Sequence, residues 1–234
     1  MRIALLEDDQ AQSATLATWL RGAGHDVHTF VTARDFKLEV GRESFDAFLL
    51  DWMLPDQSGE DVLRWLREQR GESVPVIFIT ARDSEEDIVA ALSAGADDYM
   101  VKPVRRLEML SRIEAVWRRS QPRNRDHDVI DHPPYRFEVS THRALRDGQP
   151  IEMTEKEFNL AVFLFRNVGR LLSRGHLLEA VWGRNASVAT RTVDTHVSRV
   201  RSKLELRPEN GFRLTPAYNY GYRLENLAAE DGKT

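Results

Sequence analysis

Residues 45–59 read FDAFLLDWMLPDQSG. An apolar run of strand length, Phe45 to Leu50, closes on a carboxylate, Asp51. Runs of the same kind occur at Ile3 to Leu6, Val27 to Phe30, Val74 to Ile79 and Tyr99 to Val101. Helical patterns separate them. Leu16, Trp19 and Leu20 share one face, as do Val62, Leu63 and Leu66, then Ile88, Ala91 and Leu92, then Leu107, Leu110, Ile113, Val116 and Trp117. Strands that alternate with amphipathic helices predict a doubly wound α/β domain, a five-stranded parallel sheet covered on both faces. Asp83 followed by Glu86 reads as a carboxylate-capped helix start, and Gly95 as that helix's end.

The strand ends carry chemistry. Glu7 and Asp8 follow the first run, Asp51 closes the third, Thr80 the fourth and Lys102 the fifth. In a doubly wound sheet the carboxyl ends of the strands converge on one crevice. Three carboxylates brought together repel, which raises pKa values or demands a cation. A hard divalent ion such as Mg2+ takes oxygen ligands and leaves positions for a phosphate. Three negative charges set against a divalent ion and one ammonium cancel, so the crevice can accept a dianionic phosphoryl group. Each residue alone has a plainer reading as a helix cap or a solvated strand end. Their convergence at four of five strand ends carries the inference.

Composition limits the alternatives. The chain has 234 residues, 41% of them hydrophobic and 30% charged, which describes one or two soluble globular domains rather than a disordered segment. It has no cysteine, which excludes a disulfide scaffold, a cysteine zinc site, an iron–sulfur centre and a thiol nucleophile. The longest apolar runs, Val74 to Ala81 and Leu160 to Phe165, fall far short of the roughly 20 residues of a spanning helix. Ile3 to Leu6 is too short for a signal-peptide core. No membrane association and a cytoplasmic location are expected. The net charge of −4 is uneven. Residues 1–119 carry 15 Lys+Arg and 22 Asp+Glu, whereas 184–223 carry 8 and 3. The two halves therefore suit different partners.

Residues 120–132 are polar and read as a linker before Pro133-Pro134. The domains expected are 1–119 and 133–228, with a polar tail at 229–234. The second half has short strands at Tyr135 to Val139 and Ala144 to Leu145, and a hairpin-turn signal at Asp147-Gly148 before Ile151. Thr154 with Glu157 is a capping box that opens an apolar helix, and Ser173 caps a second. A third helix runs from about Thr190 to Leu206. Two strands follow, Phe212 to Leu214 and Gly221 to Leu224, around a turn containing Asn219.

The strings LLEDD at 5–9, DWMLPDQSG at 51–59, FITAR at 78–82 and GADDYMVKP at 95–103 closely resemble the receiver domain of two-component response regulators. The resemblance implies that Asp51 is the phospho-acceptor. It implies that Asp8, Glu7 through water and the Met53 carbonyl hold Mg2+, and that Lys102 pairs with the phosphoryl oxygens. Thr80 and Tyr99 become the switch pair, and the Lys102–Pro103 bond is expected to be cis. Met53 and Arg82 occupy the positions that tune spontaneous dephosphorylation in that family. Phosphatases of the haloacid dehalogenase type share the aspartate, Mg2+ and lysine but place an acid/base aspartate two residues on. Met53 stands there and transfers no proton, so a phospho-accepting regulator is read rather than a turnover enzyme.

In the third helix of the second half, Val193, Val197, Val200 and Leu204 form a buried stripe. Thr192, Thr195, His196, Arg199 and Lys203 fall on the other side, with Arg191 and Arg201 at the margins. The helix is long enough to lie in a DNA major groove. Residues 154–182, TRTVDTHVSRVRSKL at 190–204 and GYRL at 221–224 resemble the winged helix-turn-helix effector domain of the OmpR/PhoB family. This implies that Arg191, Thr192, Thr195, His196, Arg199 and Arg201 face double-stranded DNA, arranged as direct repeats. Gly183 to Ala189 becomes the loop offered to RNA polymerase, and a sensor histidine kinase becomes the phosphodonor.

Two departures stand out. Tyr218 occupies the wing turn where the family carries an arginine. Ile88 stands where a basic residue pairs across the phosphorylation-driven homodimer with Glu108; Asp97, Asp98, Arg112 and Arg119 fit the remaining ion pairs. The other reading is a phospho-regulated interaction module whose effector domain no longer reads DNA.

Overall fold

The computed structural model describes residues 1–69, 74–120, 128–183 and 190–227. The chain divides into two compact units that meet in sequence at residues 121–122.

In the first unit, β1 (Arg2–Leu6), α1 (Gln10–Gly22), β2 (Asp26–Phe30), α2 (Ala33–Val40), β3 (Ala47–Leu50), α3 (Gly59–Arg64), β4 (Val76–Thr80), α4 (Glu85–Ser93), β5 (Asp98–Val101) and α5 (Arg106–Ser120) alternate as expected. The sheet order is β2-β1-β3-β4-β5, with every pairing parallel. Successive strand residues enter opposite cores. Ile3, Leu5, Leu49, Ile77 and Ile79 pack with Leu16 and Leu20 of α1 and Ile113 and Val116 of α5. Ala4, Leu6, Phe48, Leu50 and Phe78 pack with Phe36 of α2, Val62 of α3 and Ala91 of α4.

Two local expectations change. The cap of α4 is Ser84, whose hydroxyl accepts from Asp87 N, rather than Asp83. A hydroxyl one residue later reaches the free N–H groups at the correct distance, and Glu85, Glu86 and Asp87 supply the first-turn charge. Helix α3 runs on into a π-helical turn at Trp65–Gln69, which periodicity does not announce.

The second unit opens with an antiparallel sheet in order β6 (Val129–His132), β7 (Tyr135–Glu138), β8 (Arg143–Arg146) and β9 (Gln149–Ile151). Strand β6 lies inside the stretch expected to be linker. It joins the sheet because Ile130 is buried opposite Phe137. Asp147 (φ +49°) and Gly148 (φ +77°) make the turn between β8 and β9. Helices α6 (Glu155–Arg166), α7 (Arg174–Trp182) and α8 (Arg191–Leu204) follow, then the hairpin of β11 (Phe212–Ala217) and β12 (Gly221–Asn226). A short strand, β10 (Leu171–Ser173), pairs with β12 and makes the hairpin three-stranded. Three residues are too few to show a period of two, so this strand is invisible in the sequence. Phe137, Phe158, Phe165, Val197, Val200 and Phe212 centre one shared core. The polar tail expected at 229–234 lies outside the described residues, as does most of the expected polymerase loop, 184–189.

Candidate functional site

Sheet order reverses between β1 and β3, and in such sheets ligands bind at the carboxyl ends beside that reversal. Glu7 follows β1 and Asp51 follows β3 at that point. Lys102 follows β5 and reaches back across the ends. Its Nζ donates to Asp51 Oδ2 at 2.6 Å and to Glu7 Oε2 at 2.7 Å. Glu7 and Asp51 are buried, whereas Asp8 is exposed. Carboxylate oxygens of Glu7, Asp8 and Asp51 all lie within 4.8 Å of one another.

The electrostatics follow from this crowding. Burial pushes the Glu7 carboxyl above its ordinary value, and Lys102 opposes that without cancelling it. Burial pulls the Lys102 ammonium down, but its hydrogen bonds to Asp51 and Glu7 outweigh this and hold it above its ordinary value. A cluster of hard oxygen donors that share one ammonium fits a hard divalent cation. The ligands would be Glu7, Asp8 and Asp51.

The neighbours of Asp51 are ordered by backbone. Met53 N donates to Asp51 Oδ1 at 3.2 Å, while the Met53 side chain is 62% exposed beside the site. Gly59 N donates to Trp52 O at 2.8 Å. A Cβ on Gly59 would stand 2.2 Å from the Asp51 carbonyl oxygen, so only glycine fits here. Thr80 is fully buried at the end of β4. The Tyr99 ring is turned inward, 9% exposed, and its hydroxyl donates to the Arg82 carbonyl at 2.9 Å. The Arg82 guanidinium lies over the Trp52 ring at 5.1 Å and pairs with Asp87 at 3.1 Å. The Lys102–Pro103 bond is cis, as expected.

Four of the five residues expected on a dimer face, Asp97, Asp98, Glu108 and Arg112, are engaged within the chain. Arg67 donates to Asp97 at 2.9 Å. Arg112 donates to Glu108 at 3.0 Å and lies 3.3 Å from Asp98. Arg119 is exposed at the end of α5, and Ile88 is half-buried against the core.

In the second unit, α8 buries Val193, Val197, Val200 and Leu204. The six expected DNA contacts separate on the opposite side. Arg191, Thr195 and Arg199 are exposed, and Ser198 and Ser202, which sequence reasoning left out, share their ridge. Plotting the helix around its buried stripe would have found both serines. Thr192 is half-buried. His196 packs edge-on against Trp182, with centroids 4.9 Å apart, and its Nδ1 lies 2.9 Å from Thr192 O. Arg201 donates to the Leu214 carbonyl of β11 at 2.7 Å, so this guanidinium anchors the hairpin rather than standing free. Lys203 pairs with Glu157 at 2.8 Å. Tyr218 at the hairpin tip is 93% exposed.

Comparison with known proteins bears on both units. Residues 3–114 match the response regulator receiver domain, and residues 148–224 match the C-terminal domain of transcriptional regulatory proteins. The sensory transduction protein RegX3 of Mycolicibacterium smegmatis is 41% identical over 226 residues, covering 95% of this chain and 98% of that protein. The phosphate regulon transcriptional regulatory protein PhoB of Rhizobium meliloti is 36% identical over 204 residues, covering 87% and 89%. The DNA-binding response regulator MtrA of Mycolicibacterium paratuberculosis is 35% identical over 222 residues, covering 95% and 97%. With a carboxylate–lysine crevice in one unit, a basic-ridged helix beside a hairpin in the other, and full-length similarity to such regulators, the chain belongs to the OmpR/PhoB family of two-component response regulators.

Proposed function

We propose that this regulator takes a phosphoryl group from a sensor histidine kinase onto Asp51, pairs with a second copy through its receiver, and binds direct-repeat promoter DNA with α8. The observation that carries this is the Lys102 ammonium held 2.6 Å from Asp51 and 2.7 Å from Glu7 at the reversal of the sheet. An Asp51 oxygen attacks the phosphorus, and the bond from phosphorus to the kinase histidine nitrogen breaks. Lys102 stabilises the charge that gathers on the phosphoryl oxygens. Glu7, Asp8 and Asp51, with the Met53 carbonyl, would hold Mg2+, which when bound neutralises the same charge. Thr80 offers its hydroxyl to the new phosphoryl oxygens, and Tyr99 follows it as the switch.

Phosphorylated Asp51 biases an inactive–active equilibrium rather than creating a new state. Pairing uses the surface of α4, β5 and α5, where Asp97, Asp98, Glu108 and Arg112 exchange their partners within the chain for partners in the second copy and the exposed Arg119 gains one. Arg191, Thr192, Thr195 and Arg199 of α8 face the duplex, and the loop ending at Ala189 meets RNA polymerase. Among the described residues no helix is long and apolar enough to cross a membrane. We place the protein in the cytoplasm, as a regulator and not a turnover enzyme.

The test is intact-mass analysis after exposure to acetyl phosphate. One phosphoryl adduct is expected on the wild type. It should disappear in Asp51→Asn and after chelation of divalent ions. An adduct that survives in Asp51→Asn would place the acceptor elsewhere.

A further inference from the structure

Asp194 is the one acid on α8, two turns before the end of its basic ridge. A free carboxylate there would repel a phosphate backbone. It is not free. Its Oδ1 accepts from the Tyr222 hydroxyl at 2.6 Å and from Arg174 Nε at 2.8 Å. The Arg174 guanidinium in turn lies over the Tyr222 ring, 5.1 Å from its centroid. Three elements therefore meet at one carboxylate: α8, the first residue of α7 and the hairpin strand β12. Tyr222 is 7% exposed, so its ring has a fixed seat in the core. Burial pushes the Asp194 carboxyl up, but Tyr222 and Arg174 outweigh it and hold it below its ordinary value. Seven residues on, along the same margin of the helix, Arg201 donates to the Leu214 carbonyl of β11 at 2.7 Å. Each strand of the hairpin is thus tied to α8, at points two turns apart. Two short charge-assisted bonds at that spacing fix an angle, which one contact cannot do.

From this geometry we infer that Asp194 is a positioning residue for DNA reading, setting α8 against the wing hairpin so that both address one duplex. The inference rests on the proposed reading of α8 as the DNA-facing helix. Asp194 touches no base in this account; it acts through Tyr222 and Arg174. Its loss should therefore blunt discrimination between sequences. Binding to any duplex should persist, because Arg191 and Arg199 remain and Arg174 is released as an additional cation.

The test measures full-length protein, with beryllofluoride and Mg2+ present, on two duplexes: one selected by the wild type from genomic fragments and one scrambled. Asp194→Ala is expected to lower the ratio of selected to scrambled affinity about tenfold. Tyr222→Phe, which removes one hydroxyl and keeps the seated ring, should lower it several-fold. A merely structural role would weaken both duplexes together and leave the ratio unchanged. Should Asp194→Ala fail to fold, Tyr222→Phe decides alone. Ratios within twofold of wild type in the folded variants would overturn the inference, as would equal tightening on both duplexes, the mark of a purely repulsive charge. A wild type with no preference between duplexes would overturn the DNA-reading account itself, before any variant is compared.

Discussion

At Gly59 one missing methyl group decides whether the acceptor loop closes. A Cβ there would meet the Asp51 carbonyl oxygen at 2.2 Å and the Phe78 ring at 2.9 Å. The first neighbour is backbone and cannot step aside. Gly59→Ala is expected to cost about 1–3 kcal/mol of stability, the usual penalty for overpacking. It should also weaken beryllofluoride binding, because Asp51 moves with its carbonyl. Thermal unfolding and a beryllofluoride titration check both halves, and an unchanged titration would separate the loop from the site. Met53, beside Asp51, offers no side-chain hydrogen bond to orient an attacking water. Asp51 should therefore hold its phosphoryl group for minutes or longer, and decay within seconds would contradict this. The identities of Glu7, Asp8, Asp51, Thr80 and Lys102 were legible at this scale because each follows or ends a strand. The seat of Tyr99 on the Arg82 carbonyl and the stack of Arg82 on Trp52 were not. They join residues 17 and 30 positions apart, and no local period encodes such contacts.

At the scale of elements, buried stripes and the caps at Thr154 and Ser173 were readable, whereas the α4 cap, expected at Asp83 and found at Ser84, and the helix margins were not. Helix α6 opens on the capping box expected at Thr154 and Glu157. Burial pushes the Glu157 carboxyl up, but the hydrogen bonds from Lys203 Nζ and Thr154 N, both 2.8 Å, outweigh this and hold it below its ordinary value. A carboxylate whose folded value lies below its unfolded one adds stability above the unfolded value, and that stability is lost as pH falls through the folded value. Glu157→Gln should cost about 1 kcal/mol at pH 7, with the Lys203 share reduced by solvent screening. The gap to wild type should close as pH falls below the ordinary glutamate value of about 4.3. Denaturant unfolding across that range checks it, and a gap that widens in acid would reverse the assignment. On α8, Arg199→Ala should leave stability within about 0.5 kcal/mol and weaken DNA binding by about 1–3 kcal/mol. Arg201→Met should do the reverse first, losing about 0.5–1.5 kcal/mol of stability with its bond to Leu214. Equal stability of the two variants would contradict the division of the helix into ridge and margin. The sequence placed both arginines among DNA contacts, since helical spacing cannot tell an exposed margin from one covered by a hairpin 13 residues on.

At the scale of the whole molecule, a five-stranded parallel sheet was legible in strand–helix alternation, whereas its order β2-β1-β3-β4-β5 was not, because the pattern fixes no neighbours. The polar seam was drawn too long because β6 is short and has only Ile130 buried. The charged groups Asp97, Asp98, Glu108 and Arg112 of the receiver face already hold partners within their own chain, so a single chain does not display the proposed pairing. Arg112 sits with Glu108 and Asp98 of its own chain, so the role in pairing proposed for it would require exchange of those contacts. In the proposed function the charge state of Asp51 controls what α8 binds. Selection of genomic fragments by the full-length protein, with and without beryllofluoride and Mg2+, tests it most directly. Enrichment of a repeated motif is expected only with beryllofluoride. Equal enrichment in both conditions would contradict phosphorylation as the switch, and enrichment in neither would contradict DNA reading by this chain.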